Sequence, residues 1–536
     1  MPSSPLHFPH APNAKDRRRI GLTVFAFFVL TYGYFSPATQ WNENSRYNLT
    51  RSLVERGSLN IDPYHENTGD KSFREGHYYT DKAPGLSVLG VSGYAALLTL
   101  RRLTGQELPA QTEAAPSENQ DPLKNTAKGA LPRLEYNAAY RRGLFMANLF
   151  GNVFLAAGAA ACLFLLLWAW RPRNPEAALF GTAAYALGTL IWPYSTLYYG
   201  HGVAASLLLL TFYIDARRRA FRPPRPGAPP DSRTDTTPHD ATREGSVAQE
   251  VGQGALLGLV VATDYPSAVA AAALGLYFVW TRSGLRRRLE TLGALAAGAL
   301  PVGVALGLYH YHCFGSPYSL GYEHLARPEF AEGMSQGLYG VTWPRPKVLL
   351  HLLAGPHRGL LYLSPVLVLA LPGVGALRRQ GRGAFAGLAL MVLSYFLILN
   401  ASYYMWDGGA AFGPRHALPG LALLAPVVAA AYPVNPGALG RAARVACWAA
   451  LAVSLFNMLT ATAVGPETPL RVWDPLLDYL WPRFFCGELA LTMGSTNLGL
   501  LLGLRGLLSL IPLFILWLLA GGAIFTQIFP GQKTSN

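Results

Sequence analysis

The chain has 536 residues, 51% of them hydrophobic and only 14% charged, with a formal net charge of +14. A composition this apolar, with apolar blocks of roughly 15–28 residues recurring to the C-terminus, excludes an ordinary soluble domain and is the pattern of a polytopic helical membrane protein. The basic excess therefore carries no argument for nucleic acid; in a membrane protein its meaning lies in its distribution. Cys162, Cys313, Cys447 and Cys486 are too few for a disulfide framework, none stands in a CxxC or Cys/His metal spacing, and the layout below allows one bridge at most, Cys313 to Cys486.

Hydropathy predicts an all-α fold with about twelve transmembrane helices, at residues 20–36, 143–170, 177–194, 202–215, 252–264, 267–281, 291–311, 359–377, 384–402, 416–432, 443–464 and 498–528. The basic run Lys15, Arg17, Arg18 and Arg19 places the N-terminus in the cytoplasm, and an even number of spans returns the C-terminus there. The first span lacks a small-residue cleavage site and reads as retained. In this layout the whole positive excess falls on the cytoplasmic side, as the positive-inside rule requires. Residues 252–281 are either two spans or a re-entrant pair.

Between spans, residues 37–142 form a long extracytoplasmic segment, whose apolar part, 84–100, reads as a helix lying in the membrane interface and whose residues 101–142 read as an insertion. Residues 216–250, rich in Arg, Pro, Asp, Ser and Thr, read as a disordered cytoplasmic linker. The outer loops 312–358 and 465–497 are too long for simple connections. Residues 1–430 thus form a core, and residues 431–536 add C-terminal helices with the loop 465–497.

Three outer stretches gather charge at the membrane surface. In "NENSRYNLTR", residues 42–51, a helix can run from Glu43 to Arg56 and stop at Gly57, with Glu43, Arg46 and Tyr47 at i, i+3 and i+4. The plain alternative is an interfacial helix whose charges are solvated, or whose Glu43 pairs with Arg46. In "EGHYYTDKAPGLS", residues 75–87, Tyr79, Asp81 and Lys82 precede Pro84 and an apolar run, so a cation sits at the water–lipid boundary, where a lipid-linked phosphate must lie. A snorkelling lysine is the commoner reading of such a residue alone.

In "YYMWDGGAAFGPRHALPG", residues 403–420, Gly408, Gly409 and Gly413 permit close backbone approach beside Asp407, Arg415 and His416, although a Gly-rich turn explains the pattern equally well. "YSTLYYGHG", residues 194–202, ends another span with Tyr198, Tyr199 and His201; a lone histidine there is more often a packed polar residue than a ligand or base.

"ENSRY" followed by "DKAPG" resembles the first outer loop of the GT-C superfamily of integral-membrane glycosyltransferases, nearest the branch of protein O-mannosyltransferases and lipid A aminoarabinose transferases. "HCFGSPYSLGY" (312–322), "HRGLLYLSP" (357–365) and "GGAAFGPRH" (408–416) are similar to segments recurring in bacterial members, so the resemblance covers most of residues 20–430. It implies a GT-C-like fold with extracytoplasmic juxtamembrane helices, one of them at 84–100, in a bacterial cell membrane. It also implies that Glu43 matches the catalytic carboxylate, Asp81 the second acidic position, Lys82 the lysine that contacts donor phosphate, and Arg46 the arginine of the Arg-Tyr pair. The sequence departs from the family pattern where an acidic residue is expected near 200–203 and His201 stands instead.

The chemistry implied is transfer of a sugar from a polyprenyl-phosphate donor to a glycan, lipid or protein acceptor. Glu43 would be the general base, and Lys82, Arg46 and Arg415 would stabilise charge building on the leaving phosphate. Tyr47, Tyr79, His201, His416 and Asp407 are candidate substrate contacts. No cofactor is required, there is no GxGxxG or Walker A sequence, and a divalent metal is compatible but not demanded. The competing reading is a transporter or lipid-linked-glycan flippase, which needs ionisable groups inside the spans; only Asp264 and Arg505 lie in or beside them.

Overall fold

The computed structural model of the protein describes residues 14–106, 138–220, 246–434 and 437–529. Most of the expected insertion (107–137) and of the expected linker (221–245) lies outside the described residues.

α1 (Ala14–Tyr32) is followed by the two-residue strand β1 (Phe35–Ser36) and by α2 (Trp41–Arg56), which stops where the sequence predicts, at Gly57 in the left-handed conformation (φ 63°). The hairpin β2–β3 (Lys71–Arg74, His77–Thr80) turns through Glu75 and Gly76, both at positive φ. That turn twists with the strands, and the hairpin delivers Asp81 and Lys82 to the start of α3 (Gly85–Leu103), the helix expected at 84–100.

α4 (Ala138–Asn148) and α5 (Phe154–Trp170) form one 33-residue rod through a π-turn at Leu149–Val153. α6 (Pro175–Ala186), the short α7 (Ile191–Ser195) and α8 (Gly200–Ala220) come next. α9 (Val247–Thr263) and α10 (Ala268–Trp280) are two helices joined by a single 3-10 turn, Tyr265–Ser267, and α11 (Leu285–Phe314) packs along α9. Gly254 and Gly298 allow that contact: a Cβ on either would lie about 2 Å from a carbonyl oxygen of the facing helix.

α12 (Pro328–Met334), α13 (Pro346–Ala354), α14 (Leu360–Leu363), α15 (Ala370–Arg379) and α16 (Gly383–Ser402) lead to α17 (Leu418–Ala430), buried at every residue and packed on α6, α8, α15 and α16. α18 (Ala438–Val464), α19 (Trp481–Phe485), β4 (Thr496–Asn497), α20 (Leu498–Leu501) and α21 (Ile511–Ile528) complete the chain, with α21 against α1 and β4 paired to β1.

Among the described residues the fold is thus helical, with two short ribbons. Five helical stretches among them are long and apolar enough to cross a membrane: Ala138–Trp170, Leu285–Phe314, Gly383–Ser402, Ala438–Val464 and Gly506–Ile528. Shorter apolar helices lie at 247–263, 265–280 and 415–430.

Several expected spans are interrupted. Residues 177–194 break after Ala186, where the Thr189 hydroxyl turns back to the Tyr185 carbonyl (2.6 Å). Residues 359–377 break at Ser364–Pro365, since proline lacks the N–H a continuing helix needs. Residues 498–528 break at Gly503 and Gly506, both at positive φ, which no continuing α-helix accommodates. The expected linker is shorter than 216–250, because α8 continues to Ala220 and Ser246 caps α9 by accepting from the Gln249 N–H (3.3 Å). All four cysteines are free, Cys313 buried and Cys486 exposed, so the one allowed bridge is not made.

Between α7 and α8 the backbone is not helical, and its carbonyls need partners in an apolar interior. The α4–α5 rod supplies them. The Asn152 side-chain amide donates to the carbonyls of Tyr194 (3.0 Å), Ser195 (3.3 Å) and Leu197 (2.7 Å), and Asn148 donates to Thr196 (3.1 Å). These bonds fix the approach to Tyr199 and His201. Asn152→Leu, close in volume but without donors, is expected to cost about 2 kcal/mol, the usual penalty for stranding buried carbonyls. The check is a lower thermal-unfolding midpoint in detergent; an unchanged midpoint would mean the carbonyls are satisfied elsewhere.

Candidate active site

α2 is strongly polar in sequence and yet buried without interruption from Asn42 to Ser52. Glu43, Arg46 and Arg51 are therefore not solvated, only Glu55 and Arg56 at the helix end being exposed, and the plain interfacial-helix reading fails. Most of its polar side chains are satisfied from surrounding elements: Ser45 shares a hydrogen bond with the Thr80 hydroxyl (2.7 Å), Asn48 donates to the Tyr64 carbonyl (2.9 Å), and Thr50 donates to the Ser87 carbonyl (2.9 Å). Arg46 Nη1 donates to Asn42 Oδ1 (3.0 Å).

Glu43 is the exception. It is fully buried, and neither carboxylate oxygen has a hydrogen-bond partner among the described residues; Arg46 Nε has none either. The alternative Glu43–Arg46 pair is thus not made. Burial first, and the Glu467 carboxylate second, push the Glu43 carboxyl well above its ordinary range, while Arg415 and Arg46 pull the other way.

Glu467 is buried in the loop after α18. Its Oε1 accepts from the Tyr199 hydroxyl (2.9 Å), its Oε2 has no partner among the described residues, and burial pushes its carboxyl up to about 8. The next residue, Thr468, donates to the Ala411 carbonyl (2.7 Å), tying this loop to the glycine-rich loop.

That loop is shaped by Gly408, Gly409 and Gly413, at φ 72°, 72° and 68°. A Cβ on Gly408 would lie 3.1 Å from Arg415 Nε, so the close approach read from the sequence is made. Arg358, fully buried, grips the loop through main-chain oxygens: Nε donates to the Asp407 carbonyl (2.8 Å) and Nη2 to the Gly409 carbonyl (3.0 Å). Arg415 lies over the Tyr199 ring, 5.2 Å from its centroid.

On the other side, Lys82 Nζ stands 2.8 Å from Asp81 Oδ2 and 3.0 Å from Asp70 Oδ2. Burial works against the ammonium, but Asp70 and Asp81 more than offset it, so Lys82 is held charged with its pKa raised. Burial raises the Asp81 carboxyl in spite of Lys82. His201 Nδ1 lies 3.0 Å from Asp264 Oδ1, which stands at the end of α9, and the His201 ring meets His416 edge-on at 4.9 Å. An acidic group thus stands beside His201, supplied from a different helix.

Electrostatic contacts join these groups into one cluster. Arg46 acts on Glu43, Asp81, His201 and Asp264, and His416 lies in the field of Arg415 and Lys82. Glu43, Arg46, Asp81, Lys82, His201, Arg415 and His416 are brought together, while Tyr47, Tyr79 and Asp407 are not. Tyr47 packs edge-on to Tyr94 (5.4 Å) and Tyr140 (5.0 Å) between α2, α3 and α4: it stands one turn beyond Glu43 along α2, where α3 and α4 enclose it. Tyr79 belongs to a small core with Leu49, Tyr309 and Phe314. The Asp407 carboxylate accepts from the Gly409 N–H (3.1 Å) and serves the turn.

Asp70, Asp264 and Glu467 escaped the sequence reading as site residues. Glu467 stands three residues beyond the expected span 443–464, a position where a carboxylate next to lipid is itself a signal. Among the described residues no three His, Cys, Asp or Glu side chains converge as a metal site.

The geometry defines a polytopic helical membrane protein with a charged, largely buried cluster of side chains. No family model and no curated protein sequence matches the chain. Among solved structures it is similar to ArnT from Cupriavidus metallidurans, crystallised with undecaprenyl phosphate, at a TM-score of 0.43 and 15% identity, covering 96% of this chain and 76% of that one. It is also similar to the apo oligosaccharyltransferase of Archaeoglobus fulgidus, at a TM-score of 0.43 and 11% identity, covering 90% of this chain and 60% of that one.

Proposed function

We propose that the protein is an integral-membrane glycosyltransferase that moves a sugar from a polyprenyl-phosphate donor to an acceptor at the extracytoplasmic face of a bacterial inner membrane. In this reading the chain has about twelve spans and cytoplasmic termini, and residues 1–430 form the catalytic core. The observation that carries the reading is Glu43, a buried carboxylate with no hydrogen-bond partner among the described residues, in the field of Arg46 and Arg415, with Arg46 also acting on Asp81, the partner of Lys82. A carboxyl whose pKa is raised by burial is a stronger proton acceptor than an ordinary carboxylate, which suits a general base.

Glu43 takes the proton of the acceptor hydroxyl or amine as that group bonds to the anomeric carbon. The carbon–oxygen bond to phosphate breaks in the same displacement, its electron pair leaving on the phosphate, so configuration inverts. Lys82, Arg46 and Arg415 stabilise that charge; Lys82 has two donors engaged by Asp70 and Asp81 and keeps its third for phosphate. The transporter reading calls for ionisable groups inside the spans; Asp264, beside one, is held by His201 (3.0 Å) in the field of Arg46.

Incubation of the purified protein with a panel of labelled polyprenyl-phosphate sugars tests this. At least one donor should release polyprenyl phosphate and pass its sugar to an acceptor. Donors that bind and cross the bilayer unaltered would instead identify a flippase.

A further inference from the structure

We infer that His201 and His416 form a hydroxyl-binding pair for the sugar of the lipid-linked donor, and that Asp264 is the positioning residue that fixes His201 for it. The identity of the ligand rests on the glycosyltransferase reading; the pair rests on geometry.

The two imidazoles meet edge-on, 4.9 Å between centroids, and the His416 ring is also edge-on to Tyr403 at 5.7 Å. Asp264 is engaged through both oxygens: Oδ1 lies 3.0 Å from His201 Nδ1, and Oδ2 accepts from the Ser267 hydroxyl. A carboxylate only accepts, so His201 Nδ1 carries the proton and Nε2 presents a lone pair. That Nε2 makes no hydrogen bond to a described residue, and His416 Nε2, which is buried, has no partner among them either. A buried nitrogen left so is costly until a ligand satisfies it.

These nitrogens stand among cations assigned to the leaving phosphate. Arg46 packs on the residue before His201: a Cβ on Gly200 would lie 3.1 Å from Arg46 Nη2. Arg415 precedes His416 in the chain and lies over the ring of Tyr199, two residues before His201. A donor whose phosphate meets those guanidinium groups therefore brings the sugar bonded to that phosphate to the imidazoles. The lone pair on His201 Nε2 repels a phosphate oxygen and accepts from a hydroxyl. His416 Nε2 is satisfied in either tautomer, because a hydroxyl both donates and accepts. The donor is thus divided between guanidinium groups for its anion and imidazoles for its sugar.

The test uses the full-length protein in detergent and compares its affinity for each member of a panel of polyprenyl-phosphate sugars with that for bare polyprenyl phosphate of the same chain length. In wild type at least one sugar should tighten binding about tenfold, and His201→Ala should abolish that gain while leaving affinity for the bare lipid phosphate within about twofold. Asp264→Asn, whose amide can donate to Nδ1 and so move the proton to Nε2, should cut the gain as well. His201→Gln, whose amide oxygen reaches the place of Nε2, should restore part of it, and the shorter His201→Asn should not. A merely structural role would weaken bare and sugar-bearing lipids alike; that result overturns the inference, as does a gain absent from wild type or unchanged in His201→Ala. A gain lost in His201→Ala but kept in Asp264→Asn removes Asp264 from its positioning role. The expected pattern without any transfer supports the pair and overturns the glycosyltransferase reading, whereas transfer with a gain that His201→Ala leaves unchanged overturns the pair alone.

Discussion

Glu43→Gln is expected to lower sugar transfer by about 10²–10⁴-fold while donor affinity changes by no more than about twofold, the range that loss of one general base covers. The expectation is sharp because the substitution is isosteric and Glu43 makes no side-chain hydrogen bond to a described residue that the amide would break. Folding should not suffer. A neutral amide removes a buried carboxylate that its surroundings raise well above the ordinary range, so the variant should be at least as stable as wild type. Measuring turnover and donor binding on one preparation separates the two effects. Turnover at the wild-type rate would remove Glu43 from the base role, and lost donor binding would make it a ligand of the donor.

Lys82→Ala is expected to raise the donor concentration needed for half-maximal transfer by roughly 100-fold, corresponding to one lost charge-assisted donor worth about 3 kcal/mol. Two things leave together: the third N–H offered to phosphate, and the cation between Asp70 and Asp81. The second loss exposes each carboxylate to the other, so part of the effect is repulsion of an anionic donor. Asp70→Asn dissects it, since the lysine stays and the remaining carboxylate is Asp81. That variant should keep near wild-type donor dependence. Unchanged donor dependence in Lys82→Ala would take the lysine out of the phosphate site.

What the sequence makes legible follows from the range of the forces involved. The stop of α2 at Gly57 and the start of α3 after Pro84 are local, each written in one residue's backbone preference, and both are found where expected. The long apolar stretches were equally legible, but their interruptions at Ser364–Pro365 and Gly503–Gly506 lie inside runs whose mean hydropathy hides a single proline or glycine. The motifs around Glu43, Lys82 and Arg415 pointed to residues the fold does gather.

Their partners were out of reach. Asp264 approaches His201 across 63 positions of chain and Glu467 approaches Tyr199 across 268, and nothing local couples such residues. Tyr47 shows the converse failure. Shared helical spacing with Glu43 suggested a shared task, but a helix enclosed on every side sends neighbouring turns to different surroundings.

Among the described residues, Arg358 makes its hydrogen bonds to the loop that carries Arg415 through main-chain oxygens alone. Such a clasp is blind to side-chain identity. Met405 or Ala410 could be exchanged without loosening it, so the loop can vary in its side chains while Arg415 stays in place.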